Sequence, residues 1–393
     1  MGKIVALTGN EAAGTAMIQL RPDVVAAFPI TPQTELMHKF ADAVADGDVD
    51  TELVLVESEH SAMSAAVGAS AAGARVMTAT SANGFALMWE VVYIAASNRL
   101  PIVMTLVNRA LSAPINIHCD HSDSMGGRDT GWIQLHSENS QEVYDNLIQG
   151  IKIAEDKRVL LPVMVTSDGF ILSHTMERME ILSDREVQGF VGEYKPEHFL
   201  LDIDHPVTFG PLDLPDYYFE HKRQQVLAME QAKGVILEVA EEFKKLSGRS
   251  YGLFEGYQME GAERAIIALG STAGTAKRAV DLLREKGEKV GLIKLRVFRP
   301  FPEEEIREAL RGVKALAVFD RSHSFGGFGG PLFTEVRSAL YGSGLSPQVL
   351  NYIYGLGGRN LSVEEIEGVF SDLQEVMKTG KVRERINYLG VRG

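Results

Sequence analysis

The chain has 393 residues and a mass of 43.0 kDa, which exceeds one ordinary hydrophobic core, because single cores stop growing at about 250 to 300 residues. Its composition, 45% hydrophobic and 23% charged, is typical of a folded globular protein and excludes a disordered chain. The formal net charge of -14 argues against a nucleic-acid partner, since phosphates are held mainly by lysine and arginine. A neutral or basic protein partner suits this charge better.

The single cysteine, Cys119, excludes an internal disulfide and any iron–sulfur cluster held by several thiolates of this chain. The most apolar stretch, 85–107, is interrupted by Glu90, Asn98 and Arg99, so the sequence predicts no membrane span. The first residues also lack the pattern of a signal peptide. We therefore expect a cytoplasmic protein that holds no metal or cluster alone.

In the first half of the chain, apolar runs that end at small or polar residues alternate with helical patterns. This alternation is typical of parallel βαβ units. The predicted strands are 24–30, 53–56, 75–80, 101–108 and 161–166. The predicted helices are 31–45, 58–72 and 84–96. The pattern predicts an α/β domain built on a parallel sheet.

The alternation fails at 194–218, where four prolines and scattered aspartates predict an irregular excursion over the surface. A charged helix is predicted at 221–246, and the polar stretch after Gly248 reads as a linker. We therefore predict two domains, 1–247 and 248–393. The second repeats the α/β rhythm, with strands at 264–269, 289–295, 315–319 and 348–354 and helices at 273–286, 303–310 and 332–340.

Functional residues are expected where strands of the first sheet end, because ligands of open parallel sheets gather at the carboxyl ends of the strands. Thr31 precedes Pro32, a pair that favours a helix start, so simple helix capping competes with ligand binding for this hydroxyl. The carboxylate of Glu59 falls in the first turn of a helix rich in small residues, which permits close approach by a cofactor, although the helix dipole alone also favours an acid there. Asn83 follows the strand that ends at Thr80.

Arg109 ends an apolar strand, where a long cationic side chain is an unusual choice unless a carboxylate meets it. A guanidinium can hold a carboxylate through two parallel hydrogen bonds. The competing interpretation is an ion pair with an acid of the protein itself. The sequence leaves both open.

Two other sequence patterns are weaker indications of function. The segment 118–123, His-Cys-Asp-His-Ser-Asp, has metal-binding residue types without the spacing of a known site, so we predict a mobile polar loop over the crevice and no metal. The chain has no Gly-x-Gly-x-x-Gly after its first strand, and the glycines at 9 and 14 are followed by Thr15 where a phosphate-binding loop has lysine. Both absences disfavour nucleotide-dependent dehydrogenases and ATPases.

Several motifs, matched in order along nearly the whole chain, resemble the α subunit of pyruvate:ferredoxin oxidoreductases. They are Phe-Pro-Ile-Thr-Pro at 28–32, Val-Glu-Ser-Glu-His-Ser at 56–61, Gly-Ala-Ser-Ala-Ala-Gly at 68–73, Asn-Arg-Ala-Leu-Ser-Ala-Pro at 108–114, Arg-Asp-Thr-Gly-Trp-Ile-Gln at 128–134, Arg-Pro-Phe-Pro at 299–302 and Gly-Leu-Gly-Gly-Arg at 355–359. The resemblance implies a pyrimidine-type thiamine diphosphate-binding domain followed by a transketolase C-terminal-like domain.

The resemblance also implies roles for the residues at the strand ends. Glu59 would hydrogen-bond the pyrimidine ring of thiamine diphosphate, with Pro29, Thr80 and Asn83 beside the cofactor. Thr31 and Arg109 would contact the 2-oxoacid, the arginine through its carboxylate. The chain lacks the Gly-Asp-Gly motif with a downstream asparagine that binds diphosphate and magnesium. A β subunit is therefore expected to bring the diphosphate site, Mg2+ and one [4Fe-4S] cluster. A δ subunit is expected to carry two more clusters, and a γ subunit is expected to help bind coenzyme A.

The implied reaction is reversible oxidative decarboxylation of pyruvate to acetyl-coenzyme A with ferredoxin as electron acceptor. Three alternatives remain at this point: the same chemistry on branched 2-oxoacids such as 2-ketoisovalerate, a non-redox thiamine lyase or synthase, and a catalytically silent scaffold. The segment 111–116, Leu-Ser-Ala-Pro-Ile-Asn, favours pyruvate over the branched acids.

Overall fold

The computed structural model describes residues 2–382 and 384–392. Its strands are β1 Lys3–Leu7, β2 Val24–Ala27, β3 Glu52–Leu55, β4 Val76–Thr80, β5 Val103–Asn108, β6 Ile133–His136, β7 Val163–Asp168, β8 Glu177–Ile181, β9 Phe254–Tyr257, β10 Arg264–Leu269, β11 Val290–Leu295, β12 Val297–Arg299, β13 Ala315–Asp320, β14 Gln348–Tyr354 and β15 Ile386–Leu389. Its α-helices are α1 Gly9–Leu20, α2 Thr34–Ala45, α3 Glu59–Ala71, α4 Ala82–Leu87, α5 Trp89–Ser97, α6 Ser122–Gly126, α7 Ser140–Glu155, α8 Asp184–Val191, α9 Tyr218–Ser247, α10 Thr272–Glu285, α11 Glu303–Ala309, α12 Pro331–Leu340 and α13 Val363–Thr379.

The larger sheet has seven strands in the order β12-β6-β7-β5-β4-β2-β3. All its pairs are parallel except β12 with β6. Apolar residues of β4, β5 and β7 are buried on both faces, as expected for a parallel sheet covered by helices on two sides. One face packs against α1, α7 and α9, and the other against α3 and α5.

The second sheet has six strands in the order β15-β14-β13-β10-β11-β9, parallel except for the edge strand β9. Helices α10 and α13 cover one face, and α11 and α12 cover the other. Two α/β units of this kind confirm the predicted fold class. A short antiparallel pair, β1 with β8, lies apart from both sheets.

The two sheets are joined through buried polar contacts and a shared strand. Residues 297–299 form β12, which pairs with β6 of the first sheet although the chain around it belongs to the second. The guanidinium of Arg296 is fully buried and donates to Asn146 Oδ1 at 2.8 Å and to Gln149 Oε1 at 3.1 Å on α7. No single cut in the chain therefore separates the strands of the two sheets, and the domain limits 1–247 and 248–393 stay a prediction.

Several predicted elements have different bounds in the structure. The strand predicted at 24–30 ends at Ala27 and the helix predicted at 31–45 begins at Thr34, because Pro29 and Pro32 cannot donate backbone hydrogen bonds. The helix predicted at 84–96 is two helices, α4 and α5. The predicted charged helix begins at Tyr218 and not at 221.

Some elements were not predicted at all, among them α1, β6, α7 and α13. In α7 the reason is clear, since Asp145, Asn146 and Gln149 are polar but fully buried, so the helical hydrophobic pattern is interrupted on the face toward the second sheet. Residues 192–217 contain no helix or strand. In the described parts of the chain, none of the helices combines the length and the apolar character needed to cross a bilayer.

Candidate active site

The predicted site residues lie where the order of the first sheet reverses. Chain connections run from β2 outward to β3 and then back across to β4, so that β2 and β4 are neighbours at the reversal. Ligands of doubly wound sheets bind in the crevice outside the carboxyl ends of such strands. The loops after β2, β3, β4 and β5 carry Thr31, Glu59, Asn83 and Arg109 to this crevice.

The loop after β2 is held by backbone and side-chain contacts of Gln33. Its amide Oε1 accepts from Ile30 N at 3.2 Å, and its Nε2 donates to Ala79 O on β4 at 3.2 Å. The helix-start prediction for Thr31 is wrong in this respect, because α2 begins three residues later and its N-cap is Gln33, without a side-chain cap. Thr31 and Pro29 are exposed in the loop, which leaves the Thr31 hydroxyl free to face a ligand.

Glu59 is the first residue of α3, and its side chain is buried, with 6% of the residue exposed. Ser58 caps the helix by accepting from Ser61 N, so the Glu59 carboxylate is not needed as a cap. Among the described residues it forms no hydrogen bond and no ion pair. A buried carboxylate of this kind needs a partner, because an unpaired charge is costly away from water.

The Glu59 side chain packs against Gly84, which lies in the first turn of α4. A Cβ atom added to Gly84 would lie 2.5 Å from Glu59 Oε1 and 2.5 Å from Thr80 Oγ1, so only glycine leaves room for both oxygens. The Thr80 hydroxyl is buried and has no hydrogen-bond partner. Asn83 is exposed beside them, and its Oδ1 accepts from Ser112 N at 3.3 Å. The crevice thus offers a carboxylate and a hydroxyl, neither of which is hydrogen-bonded by the residues that the structure describes.

Arg109 follows β5 and is 7% exposed. Its guanidinium donates to two carbonyl oxygens, from Nη1 to Thr31 O at 3.0 Å and from Nε to Asn116 O at 3.3 Å. Over residues 2–382 and 384–392 it has no ion pair with an acid, which was the competing interpretation of this residue. The two carbonyls orient the guanidinium, and its positive charge is left for a ligand.

The prediction of a mobile polar loop at 118–123 is wrong, since Cys119, Asp120, His121 and Asp123 are buried. The backbone turns into α6 at Ser122. His121 Nε2 lies 2.8 Å from Asp168 Oδ1 at the end of β7, and its backbone N–H donates to Arg321 O of the second sheet at 2.8 Å. This segment forms part of the junction between the two sheets.

Asp168 is the centre of that junction. Arg321 Nη1 donates to its Oδ2 at 2.9 Å, and Ser271 N donates to the same oxygen at 3.0 Å. Burial alone opposes the charge of Asp168, but the charges of His121 and Arg321 hold the pKa of this carboxyl well below its usual range. A Cys119 sulfur lies within 4.8 Å of ligand atoms of His121 and Asp168. Arg321, however, already supplies the positive charge that a metal ion would bring.

Two matches to family models cover most of the chain. Residues 15–241 match the model described as pyruvate flavodoxin/ferredoxin oxidoreductase, thiamine diphosphate-binding, and residues 262–366 match pyruvate:ferredoxin oxidoreductase core domain II. The chain belongs to the pyruvate:ferredoxin oxidoreductase family. The family resemblance read from the sequence motifs is therefore confirmed, and the first domain is of the thiamine diphosphate-binding type.

Related proteins match the sequence of this chain over nearly its full length. The pyruvate synthase subunit PorA of Thermotoga maritima is 58% identical over 99% of this chain and 98% of its own length. The PorA subunit of Methanocaldococcus jannaschii is 47% identical over 95% and 96%. The ketoisovalerate oxidoreductase subunit VorA of Pyrococcus horikoshii is 45% identical over 97% and 96%. The name of each relative states that it is one subunit of a larger enzyme.

Two solved structures share the fold. A 2-oxoglutarate:ferredoxin oxidoreductase from Magnetococcus marinus superposes with a TM-score of 0.74 at 22% identity. The match covers 94% of this chain but only 65% of that one, which is longer. A split-gene transketolase has a TM-score of 0.57 at 14% identity, over 94% of this chain and 99% of its own. At these identities the likeness concerns the fold alone.

The crevice fits the pyrimidine end of thiamine diphosphate by its chemistry. Glu59 is a buried acid and Thr80 offers a buried hydroxyl, and within the described residues neither side chain forms a hydrogen bond. Both side chains pack against Gly84, where a Cβ would collide with them. The diphosphate end has no such counterpart, because the sequence lacks the Gly-Asp-Gly motif.

Three supporting residues were missed by sequence reasoning. Gln33 bridges two strand ends, and Asn10 Nδ2 of α1 donates to Pro32 O at 2.8 Å. Gly169 lies so close to the carbonyl of Asn108 that a Cβ would collide with it. Gln33 carried a usable signal, since it is a polar residue beside an apolar helix start. Asn10 and Gly169 act between segments that are far apart in sequence.

Proposed function

We propose that this chain is the subunit of a pyruvate:ferredoxin oxidoreductase that supplies the pyrimidine side of a shared thiamine diphosphate site. The assembled enzyme catalyses the reversible reaction of pyruvate and coenzyme A to acetyl-coenzyme A, carbon dioxide and reduced ferredoxin. In the forward direction the bond to the substrate carboxylate breaks and carbon dioxide leaves. The acyl group passes to the sulfur of coenzyme A, whose thiol proton is released, and the two electrons left by the broken bond pass one at a time to ferredoxin.

One observation carries this proposal. The buried acid Glu59 lies at the reversal point of the sheet against Gly84 and Thr80, and among the described residues it has no hydrogen-bond partner, while Arg109 has only carbonyl partners there. A thiamine-dependent 2-oxoacid enzyme requires two groups on the pyrimidine side of its site: an acid that can hydrogen-bond a ring nitrogen and a cation that can bind a carboxylate. The 58% identity to a pyruvate synthase subunit over almost the whole chain supports the same reading.

The proposed roles follow from the contacts of each side chain. Glu59 holds a proton between its carboxylate and the pyrimidine ring, aided by a low-dielectric surrounding that strengthens this hydrogen bond. Arg109 binds the substrate carboxylate, and the exposed Thr31 hydroxyl hydrogen-bonds the substrate beside it. Pro29 and Asn83 line the cofactor. Thiamine diphosphate, when bound, supplies the electron sink for decarboxylation.

The remaining cofactors belong to partner chains in this proposal. With one cysteine, this chain cannot supply the several thiolates that an iron–sulfur cluster needs. A β subunit provides the diphosphate site, Mg2+ and one [4Fe-4S] cluster, a δ subunit two further clusters, and a γ subunit contacts coenzyme A. We place the complex, with ferredoxin, in the cytoplasm.

An apolar rim around the crevice supports a partner chain there. It consists of Leu55, Leu87, Trp89, Ile115 and Ile117, which are between 40% and 77% exposed. Leu55 ends β3 before Glu59, Leu87 and Trp89 lie at the junction of α4 and α5 after Asn83, and Ile115 and Ile117 lie in the segment that follows Arg109. Large exposed apolar side chains that cluster beside polar groups mark interaction sites. The β subunit is the occupant we propose, because its diphosphate site must lie next to this crevice.

The test of the mechanism replaces Glu59 in the assembled complex. Glu59→Gln removes the ionisable group while keeping the shape, and we expect pyruvate oxidation to fall at least 100-fold because proton transfer of this kind contributes about 100- to 10,000-fold. Glu57→Gln is the matched control, since Glu57 lies in the same turn but is exposed. Near-normal turnover by the Glu59→Gln complex would instead support a silent scaffold.

Two further measurements separate the alternatives. The 45% identity to a ketoisovalerate oxidoreductase subunit keeps branched 2-oxoacids open as substrates, so turnover of pyruvate is compared with that of 2-ketoisovalerate. A strong preference for the branched acid would refute the choice of pyruvate. Cluster absorbance in the purified complex, bleached by pyruvate and coenzyme A, excludes a non-redox lyase, whereas a colourless active complex would favour it.

A further inference from the structure

The carboxylate of Asp123 collects hydrogen bonds from both site-bearing strand ends. Its Oδ2 accepts from Ala82 N at 3.1 Å and from Arg109 N at 3.0 Å. Its Oδ1 accepts from Asn108 Nδ2 at 2.7 Å and from Ser124 N at 2.7 Å. Only 1% of Asp123 is exposed, so these four donors take the place of water around the carboxylate.

The two backbone N–H groups lie where the β4–β5 ladder ends. The last registered pair is Thr80 with Leu106; beyond it the chain after β4 enters α4 at Ala82, while β5 continues to Asn108, the residue before Arg109. Buried N–H groups must find acceptors, and here a single carboxylate serves both loops. Ala82 has a positive φ of 38°, a backbone conformation that a non-glycine residue adopts only when its surroundings hold it there.

Asp123 keeps this place without a counter-charge. No lysine or arginine side chain pairs with it anywhere in the described part of the chain, and the side chains of His121 and Asp120 in the same segment bond other groups. Burial raises the pKa of Asp123 to about 6, against the opposing effect of its four hydrogen bonds. A buried acid with a perturbed pKa beside a crevice is a candidate for a functional role.

We propose that Asp123 is a positioning residue that fixes Arg109 and the 82–84 turn relative to each other, and thereby sets the affinity of the site for the 2-oxoacid. This inference rests on the proposed function, because it gives Arg109 the substrate carboxylate. Asp123 itself touches no substrate or cofactor. It acts through the backbone of Arg109, whose guanidinium is oriented in addition by Thr31 O and Asn116 O.

The test uses Asp123→Ala in the assembled complex, with Asp120→Ala as the matched control. Asp120 is a buried acid of the same segment, but its carboxylate bonds Ser122 and Gly357 and neither Ala82 N nor Arg109 N. We expect Asp123→Ala to raise the KM for pyruvate at least tenfold while the KM for coenzyme A stays within twofold. Asp120→Ala should change neither. If the Asp123→Ala complex fails to assemble, Asp123→Asn, which keeps the volume, should show the same split on a smaller scale.

A double-mutant cycle with Arg109→Met separates positioning from general damage. If Asp123 acts through Arg109, the double variant should have a pyruvate KM less than threefold higher than that of Arg109→Met alone. Two results overturn the inference: an unchanged pyruvate KM in both Asp123 variants, or a full tenfold effect that persists on the Arg109→Met background. An unchanged KM in Arg109→Met alone would instead refute the proposed role of Arg109.

Discussion

Gly84→Ala should displace the acid of the site without removing any functional group. An added Cβ would lie 2.5 Å from Glu59 Oε1 and from Thr80 Oγ1, and carbon atoms do not approach oxygens so closely without a bond. Thr80 is fixed on a buried strand, so the Glu59 carboxylate has to move by about 1 Å, and a misplacement of about 1 Å costs roughly 100-fold in rate. Overpacking of this kind also costs about 1 to 3 kcal/mol of stability.

The assay measures pyruvate oxidation and thiamine diphosphate affinity of the assembled complex, together with thermal unfolding of the full-length chain. Gly68→Ala is the matched control, because Gly68 lies in α3, the helix that begins with Glu59, and a Cβ there meets nothing within 4 Å. That change should stabilise the helix by about 0.5 to 1 kcal/mol and leave turnover unchanged. Turnover by the Gly84→Ala complex within threefold of the unaltered enzyme would refute the placement of Glu59 in the reaction.

Two predictions concern the buried charges at the junction of the sheets. Arg321→Met leaves Asp168 buried without its arginine and should lower the free energy of unfolding by about 3 to 5 kcal/mol. The control Arg311→Met breaks an exposed ion pair with Glu308 and should lower it by less than about 1 kcal/mol. Equal effects of the two variants in denaturant titrations would contradict this account. Burial lowers the pKa of His136 to about 3, so below about pH 6.5 the unfolded chain binds a proton that the folded chain does not, and stability should fall by about 1.4 kcal/mol per pH unit. His136→Phe should remove that part of the slope between pH 6.5 and 4.5, and identical slopes for the two chains would show that His136 is not its source.

Local rules were sufficient for the strands and helices that alternate along the chain. Apolar runs ending at small residues located β4, β5 and β7 within a few residues, because a parallel strand covered on both faces has to be apolar throughout. The rules failed at α7, whose buried polar residues serve the junction with the second sheet. They also failed at Thr31, where Gln33 contacts β4 and moves the helix start.

The candidate site, like the fold, could be predicted from the sequence only in part. Glu59, Thr80, Asn83 and Arg109 could be named from the sequence, because residues that follow parallel strands meet at one edge of the sheet. Which of them already had partners could not be read from the sequence. In the described part of the chain, Glu59 and Thr80 have no hydrogen-bond partner and Arg109 has only carbonyl acceptors, and each of these facts depends on atoms from other strands.

The sequence by itself determined the fold class, the family and the position of the crevice, since all three depend on residue order and on short motifs. Only the tertiary structure decided that four residues of the segment 118–123 are buried and that one of them, Asp123, holds two loops together. Such a contact depends on donors at 82, 108, 109 and 124 reaching one carboxylate at once. Hydrogen bonds between distant segments leave no periodic pattern in a sequence, and they appear only when the sheet brings the strand ends side by side.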